Sequence, residues 1–134
     1  MSMPTVSIVI PCYNQGQYLA DSIGSILSSD YQDAEIIVVD DGSTDLETTK
    51  ILAGLDYPNT KVVHTTNQGP SAARNAGIAA SAGKYILPLD ADDRIGEAYL
   101  QEAVALLEQH PDYRIVYCRS EERRVGKECR SRWS

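Results

Sequence analysis

What this 134-residue chain has little of narrows its chemistry before any motif is read. Its 3 cysteines, Cys12, Cys118 and Cys129, are odd in number and widely spaced, so they form neither a disulfide framework nor a metal-ligand pattern. A reducing cytosol is the expected compartment. No apolar run approaches the ~18 residues of a membrane-spanning helix, and Met1-Ser2-Met3-Pro4 lacks the basic and apolar regions of a signal peptide. Histidine is scarce, and His64 and His110 have no partners at ligand spacing; both read as surface or strand-end residues. Basic residues are outnumbered, 12 against 19 acidic, for a net charge of −7. Nucleic acid is thereby excluded as a partner, because binding to it depends on Lys and Arg neutralising phosphates. There is no internal repeat, heptad pattern or low-complexity stretch.

What the chain does have is apolar strand-like runs that end in carboxylates. Tyr85-Ile86-Leu87-Pro88-Leu89 stops at Asp90-Ala91-Asp92-Asp93. Carboxylates this crowded repel by up to about 4 kcal/mol per pair at ~4 Å and an effective dielectric near 20, so a positive partner is expected among them. A hard divalent cation such as magnesium, which takes one or two protein carboxylates and otherwise water and phosphate oxygens, satisfies that need. The plain alternative is a solvated acidic turn. A second run, Glu35-Ile36-Ile37-Val38-Val39, has the β-branched composition of a strand buried on both faces and leads into Asp40-Asp41-Gly42-Ser43-Thr44-Asp45. There Thr44 is expected to cap a helix with Glu47, leaving Asp40 and Asp41 available. A third run, Val6-Ser7-Ile8-Val9-Ile10, breaks at Pro11, and its loop carries Tyr13, an aromatic able to stack on a base or simply to pack.

Between these runs the pattern is helical. Leu19, Ile23, Ile26 and Leu27 share one face of a helix from about Gln17 to Ser28, and a second helix is expected from about Asp45 to Leu55. A strand near Lys61–His64 precedes a helix that opens at Pro70 and stops at Gly83, the usual Pro-first, Gly-last asymmetry. The alanines of that helix permit close approach to a sheet. A last helix, about Glu97 to Gln109, buries Leu100, Ala103, Val104 and Leu107, and Tyr113–Tyr117 follows as a strand. Strand and helix thus alternate, as in an α/β protein with a mainly parallel sheet and helices on both faces. In such sheets ligands bind beyond the carboxyl ends of the strands, which places the acidic clusters on the binding edge. Arg74, near the start of the Pro70 helix, joins a guanidinium to the positive end of a helix dipole, a setting suited to an anion; the alternative is an Arg stem packed on the sheet edge.

Read in order, Pro11-Cys12-Tyr13-Asn14, Val38-Val39-Asp40-Asp41-Gly42-Ser43-Thr44-Asp45, Asn67-Gln68-Gly69-Pro70-Ser71-Ala72-Ala73-Arg74-Asn75 and Leu89-Asp90-Ala91-Asp92-Asp93 resemble the family 2 glycosyltransferases of the GT-A fold. The match spans roughly Pro4 to Tyr117. The resemblance implies the Rossmann-like nucleotide-binding half of that fold, a UDP-sugar donor, a Mn or Mg ion and inversion at the anomeric carbon. Its nucleotide-binding set would be Pro11, Tyr13, Asn14, Asp41, Arg74 and Asp90, with Tyr13 and Asp41 near the base, Arg74 near the base or diphosphate and Asp90 near the ribose. Asp92 would bind the metal. The family's general base, an Asp or Glu, lies in a later half that this chain does not reach, so no base is named and an inactive nucleotide-binding fragment is the alternative. The acceptor in the intact parent would be a carbohydrate or a lipid-linked molecule, and that parent could associate with a membrane.

Two other readings fail on particular residues. A phosphoacceptor receiver domain would follow its acidic pair with a Ser/Thr strand end and a Lys strand end, which are missing after Asp90. A dinucleotide-binding module would carry Gly-x-Gly-x-x-Gly after the first strand, where Pro11-Cys12-Tyr13-Asn14-Gln15-Gly16 has one glycine. From Arg119 to Ser134 the apolar period vanishes and the charge sign reverses, and these residues resemble translated sequencing-adapter DNA. The genuine domain is therefore expected at 1–118, with six basic residues against sixteen acidic and a net charge of −10. Arg132-Trp133 echoes the Gln-x-x-Arg-Trp motif of processive members, but Cys129 stands where the Gln would be.

Overall fold

A computed structural model describes residues 4–109 together with 116–117 and 130–131. The elements alternate: β1 (Val6–Cys12), a 3-10 turn (Gly16–Tyr18), α1 (Leu19–Leu27), β2 (Ala34–Asp41), α2 (Leu46–Ala53), β3 (Thr60–Thr65), α3 (Pro70–Ala80), β4 (Tyr85–Pro88) and α4 (Tyr99–Gln109). A short antiparallel pair, β5 (Val116–Tyr117) with β6 (Arg130–Ser131), follows. His110, Cys118, Cys129 and 113–115 of the expected last strand lie outside the described residues.

The four long strands form one all-parallel sheet in the order β3-β2-β1-β4. This bears out the α/β expectation of a parallel sheet with helices on both faces. Two central strands must be apolar on both sides, and β1 and β2 are. On one face Ile8, Ile10, Ile36 and Val38 pack with Leu19, Ile23 and Ile26 of α1 and with Leu100 and Val104 of α4. On the other face Val9, Ile37 and Val39 pack against Ala73 of α3. Burying each of these large aliphatic side chains stabilises the fold by roughly 1.5–3 kcal/mol.

The alanines and Gly77 let α3 sit close to the sheet: a Cβ on Gly77 would overlap Val9 Cγ1 and lie 3.0 Å from Val39 Cγ2. Close approach here is a packing requirement. It also draws the first turn of α3 over the ends of β1 and β2.

Two boundaries differ from the sequence expectation. The cap of α2 is Asp45, whose Oδ2 accepts from Thr48 N at 3.0 Å and from Thr48 Oγ1 at 2.8 Å. Thr44 is turned elsewhere: its Oγ1, the atom that would cap, accepts from Asn14 Nδ2 at 3.3 Å. Helix α3 ends at Ala80, three residues before Gly83. Gly83 serves a different contact: its N–H donates to the buried Ser7 Oγ at 2.7 Å, at a point where a Cβ would collide with the β1 backbone. Ser7 in turn donates to Glu35 Oε2, which also accepts Ala82 N at 2.6 Å, so the α3–β4 connection is tied across the amino end of the sheet.

Candidate functional site

The carboxyl ends of β1, β2 and β4 share one edge, and a cleft of about 360 Å³ opens there. Among the residues expected from the sequence, Pro11, Tyr13, Asp41, Asp90 and Asp92 all line it. Parallel pairing makes this inevitable, since each strand delivers its C-terminal loop to the same side. Asn14 and Arg74 do not line the cleft.

Tyr13 follows β1 and leaves 41% of its surface exposed, so its ring is available to a ligand. Asp41 is its opposite in character, only 4% exposed. Its Oδ1 accepts from Gln68 N at 3.0 Å and Thr65 Oγ1 at 3.3 Å, and its Oδ2 accepts from Gly69 N at 3.0 Å. A carboxylate has about four acceptor positions, so one remains toward the cleft. Asp41 therefore fixes the loop that starts α3. Gly42 assists at φ 70°, where a Cβ would come within 2.7 Å of Asn67 N.

Asp40 points to the other face of the sheet. Its Oδ1 accepts from Ser43 N at 2.9 Å, and its Oδ2 lies 3.0 Å from His64 Nδ1. Burial pushes this carboxyl up, but the hydrogen bonds from Ser43 and the pairing with His64 outweigh it and the net shift is downward. His64 is thus an exposed strand-end residue with a definite partner, which the spacing did not disclose. Cys12, fully buried at the cleft floor, has its thiol pushed up chiefly by burial, opposed by the Gln15 N–H and reinforced by the Asp40 charge. It is suited to packing rather than nucleophilic attack.

Past β4, carboxylate oxygens of Asp90, Asp92 and Asp93 lie within 4.8 Å of one another, with Asp90 and Asp92 exposed and Asp93 half-buried. An all-oxygen, all-anionic donor set of this span fits a hard divalent cation and fits poorly with softer metals. Arg74 lies in the second turn of α3, half-buried, and its Nε is a buried donor with no acceptor among the described residues. An orphaned guanidinium donor of this kind asks for an anionic or carbonyl partner. The sequence reading overlooked Gln15, Asn67 and the Gly69-Pro70 corner as cleft walls. Asn67, Gly69 and Pro70 belong to the Asn67–Asn75 motif, yet nothing in their residue types announces the role.

This geometry, a parallel sheet with acidic strand ends gathered around one cleft, is that of the GT-A fold. The family model described as Glycosyl transferase family 2 matches residues 7–133. An uncharacterized glycosyltransferase of Haemophilus influenzae is 42% identical over 112 residues, covering 82% of this chain and 45% of the relative. Glycosyltransferase GlyG of Streptococcus pneumoniae is 41% identical over 98 residues, covering 72% of this chain and 33% of GlyG. Among solved structures, S. aureus TarS 1-349 in complex with UDP-GlcNAc superposes with a TM-score of 0.71 at 30% identity, over 85% of this chain and 33% of that one. The chain belongs to glycosyl transferase family 2. It spans less than half the length of these relatives. Among the described residues no helix is long and apolar enough to cross a membrane.

Proposed function

We propose that this chain is the donor-binding half of an inverting glycosyltransferase that uses a UDP-sugar. The observation that carries the reading is the single cleft in which an exposed aromatic, Tyr13, and a buried carboxylate with one spare acceptor position, Asp41, share walls with Asp90 and Asp92. The S. aureus TarS structure with UDP-GlcNAc, alike in fold, supports it. In this reading Tyr13 stacks on uracil against Pro11, and Asp41 accepts the uracil N3–H. Arg74 lies near the base or the diphosphate, and Asp90 takes the ribose hydroxyls. Asn14 belongs to the nucleotide loop. Asp92, with Asp93 beside it, would hold Mn or Mg. When bound, such an ion neutralises charge on the departing diphosphate.

In the whole protein, an acceptor hydroxyl oxygen attacks the anomeric carbon from the face opposite the diphosphate. The bond from that carbon to the diphosphate oxygen breaks, its electron pair leaves with UDP, and the hydroxyl proton passes to a general base. We assign no base within this chain, so the proposal for it is donor binding without turnover. The acceptor of the whole protein would be a carbohydrate or lipid-linked molecule, acted on from the cytoplasmic side. We also propose that the domain occupies 1–118 and that 119–134 is foreign to it, as the reversed charge of that stretch suggests. Calorimetry with uridine, UDP and UDP plus Mn²⁺ tests the reading. Binding of uridine and tighter binding of UDP with Mn²⁺ are expected, and a chain that binds neither uridine nor UDP refutes it.

A further inference from the structure

We infer that Asn14 is a positioning residue, which sets the Tyr13 wall of the cleft through the loop after β2 and does not itself touch the nucleotide. The inference rests on the reading that Tyr13 stacks on the base. Asn14 stands at φ 55°, in the left-handed region that L residues other than Asn and Asp occupy at a penalty. Four hydrogen bonds hold it there. Its Oδ1 accepts from Thr44 N at 2.9 Å and Asp45 N at 2.8 Å, its Nδ2 donates to Thr44 Oγ1 at 3.3 Å, and its own N–H donates to Ser43 Oγ at 3.1 Å. Both acceptor positions of the amide oxygen are therefore used, on a side chain that does not line the cleft.

The loop that receives Asn14 is anchored from behind. Asp40 accepts Ser43 N, and His64 braces Asp40. Asp45 both donates to Asn14 and caps α2, so the clamp reaches into a helix. Tyr13, the residue before Asn14, is too exposed for packing alone to fix its ring. Its direction is set by the backbone on which it sits, and that backbone is set by Asn14. A wall fixed before the ligand arrives spares the ordering penalty on binding.

A double-mutant cycle on the 134-residue chain, read by uridine calorimetry below every melting midpoint, separates this from a general structural role. Asn14→Gly keeps the positive φ and removes the three side-chain bonds of the clamp, and it is expected to weaken uridine about tenfold, the scale of a lost preorganised contact. In a Tyr13→Ala background the same change should produce almost no further loss, because the wall it positions is gone. Asn14→Asp, which retains acceptors for Thr44 and Asp45, should recover most of the affinity. Losses that add fully, or an Asn14→Gly chain that binds uridine as the parent does, overturn the inference while leaving the nucleotide reading intact. A parent chain that binds neither uridine nor UDP removes both. If Asn14→Gly does not fold, Ser43→Ala, a milder cut through the same clamp, carries the same cycle, and parental affinity in that variant is likewise a refutation.

Discussion

The Asp41 carboxylate accepts the Gly69 N–H at 3.0 Å, joining the end of β2 to the residue that caps α3. Its other oxygen accepts Gln68 N, so both ends of the carboxylate face backbone donors. Asp41→Asn must therefore turn an NH₂ group toward one of those N–H groups. Leaving a buried donor unpaired costs roughly 1–3 kcal/mol. Urea unfolding should show that loss, and uridine and UDP should weaken by similar factors. A variant with the parental midpoint would contradict the geometry.

Metal binding should separate from base binding. Asp92→Ala is expected to abolish the increment in UDP affinity that Mn²⁺ provides while leaving uridine affinity within about twofold, since uridine has no phosphate to bridge to an ion. Titration of UDP with chelator and with Mn²⁺ reads both. Equal increments in parent and variant would remove Asp92 from the metal.

The fit of α3 against β1 gives a purely structural test. Gly77→Ala drives a methyl into Val9 Cγ1 and against Val39 Cγ2, both on strands buried on two faces, and overpacking of this kind costs about 1–3 kcal/mol. The midpoint of thermal or urea unfolding should fall accordingly. A neutral or stabilising result would mean that α3 can shift outward.

Asp40 makes part of the stability acid-sensitive. Its carboxyl is depressed below the ordinary value, so its contribution is fully present above the unfolded-state pKa, near about 4, and is lost as pH falls through the lower folded-state value. Asp40→Asn should be less stable than the parent at neutral pH, with the gap closing on acidification. Unfolding curves at pH 7 and pH 3 decide it; a gap that widens toward pH 3 has the wrong sign.

An independent DNA read through the codons for Arg119 to Ser134 should replace this stretch with a continuation that has apolar periodicity. Recovering the same sixteen residues would overturn the assignment of a foreign tail.

The sheet was legible because β-branched runs bounded by acidic turns admit few alternatives, and Val6–Ile10, Glu35–Val39 and Tyr85–Leu89 all fall on strands or their immediate ends. The acidic edge was legible for the same reason: parallel strands fix where their loops go. Side-chain partnerships were less accessible. Asp45 rather than Thr44 caps α2 because Asn14, thirty residues before Thr44 in the chain, already engages the Thr44 Oγ1. Gly83 looked like a helix terminator but answers to Ser7 on a strand seventy-six residues away. Such choices are made by tertiary neighbours, which local pattern does not encode. The same limit hid His64, whose partner Asp40 is set by the register of β2 and β3.

The strand order carries a consequence for synthesis. Val6 pairs with Tyr85, so one flank of the central strand has no partner until the chain has grown nearly eighty residues beyond it. By then β2 is already available to the other flank, and the open flank is a row of unpaired amides beside some of the most apolar residues in the molecule. A growing polypeptide of this kind is exposed to mispairing while it is still being translated, and the hazard ends only when Tyr85–Pro88 leaves the ribosome.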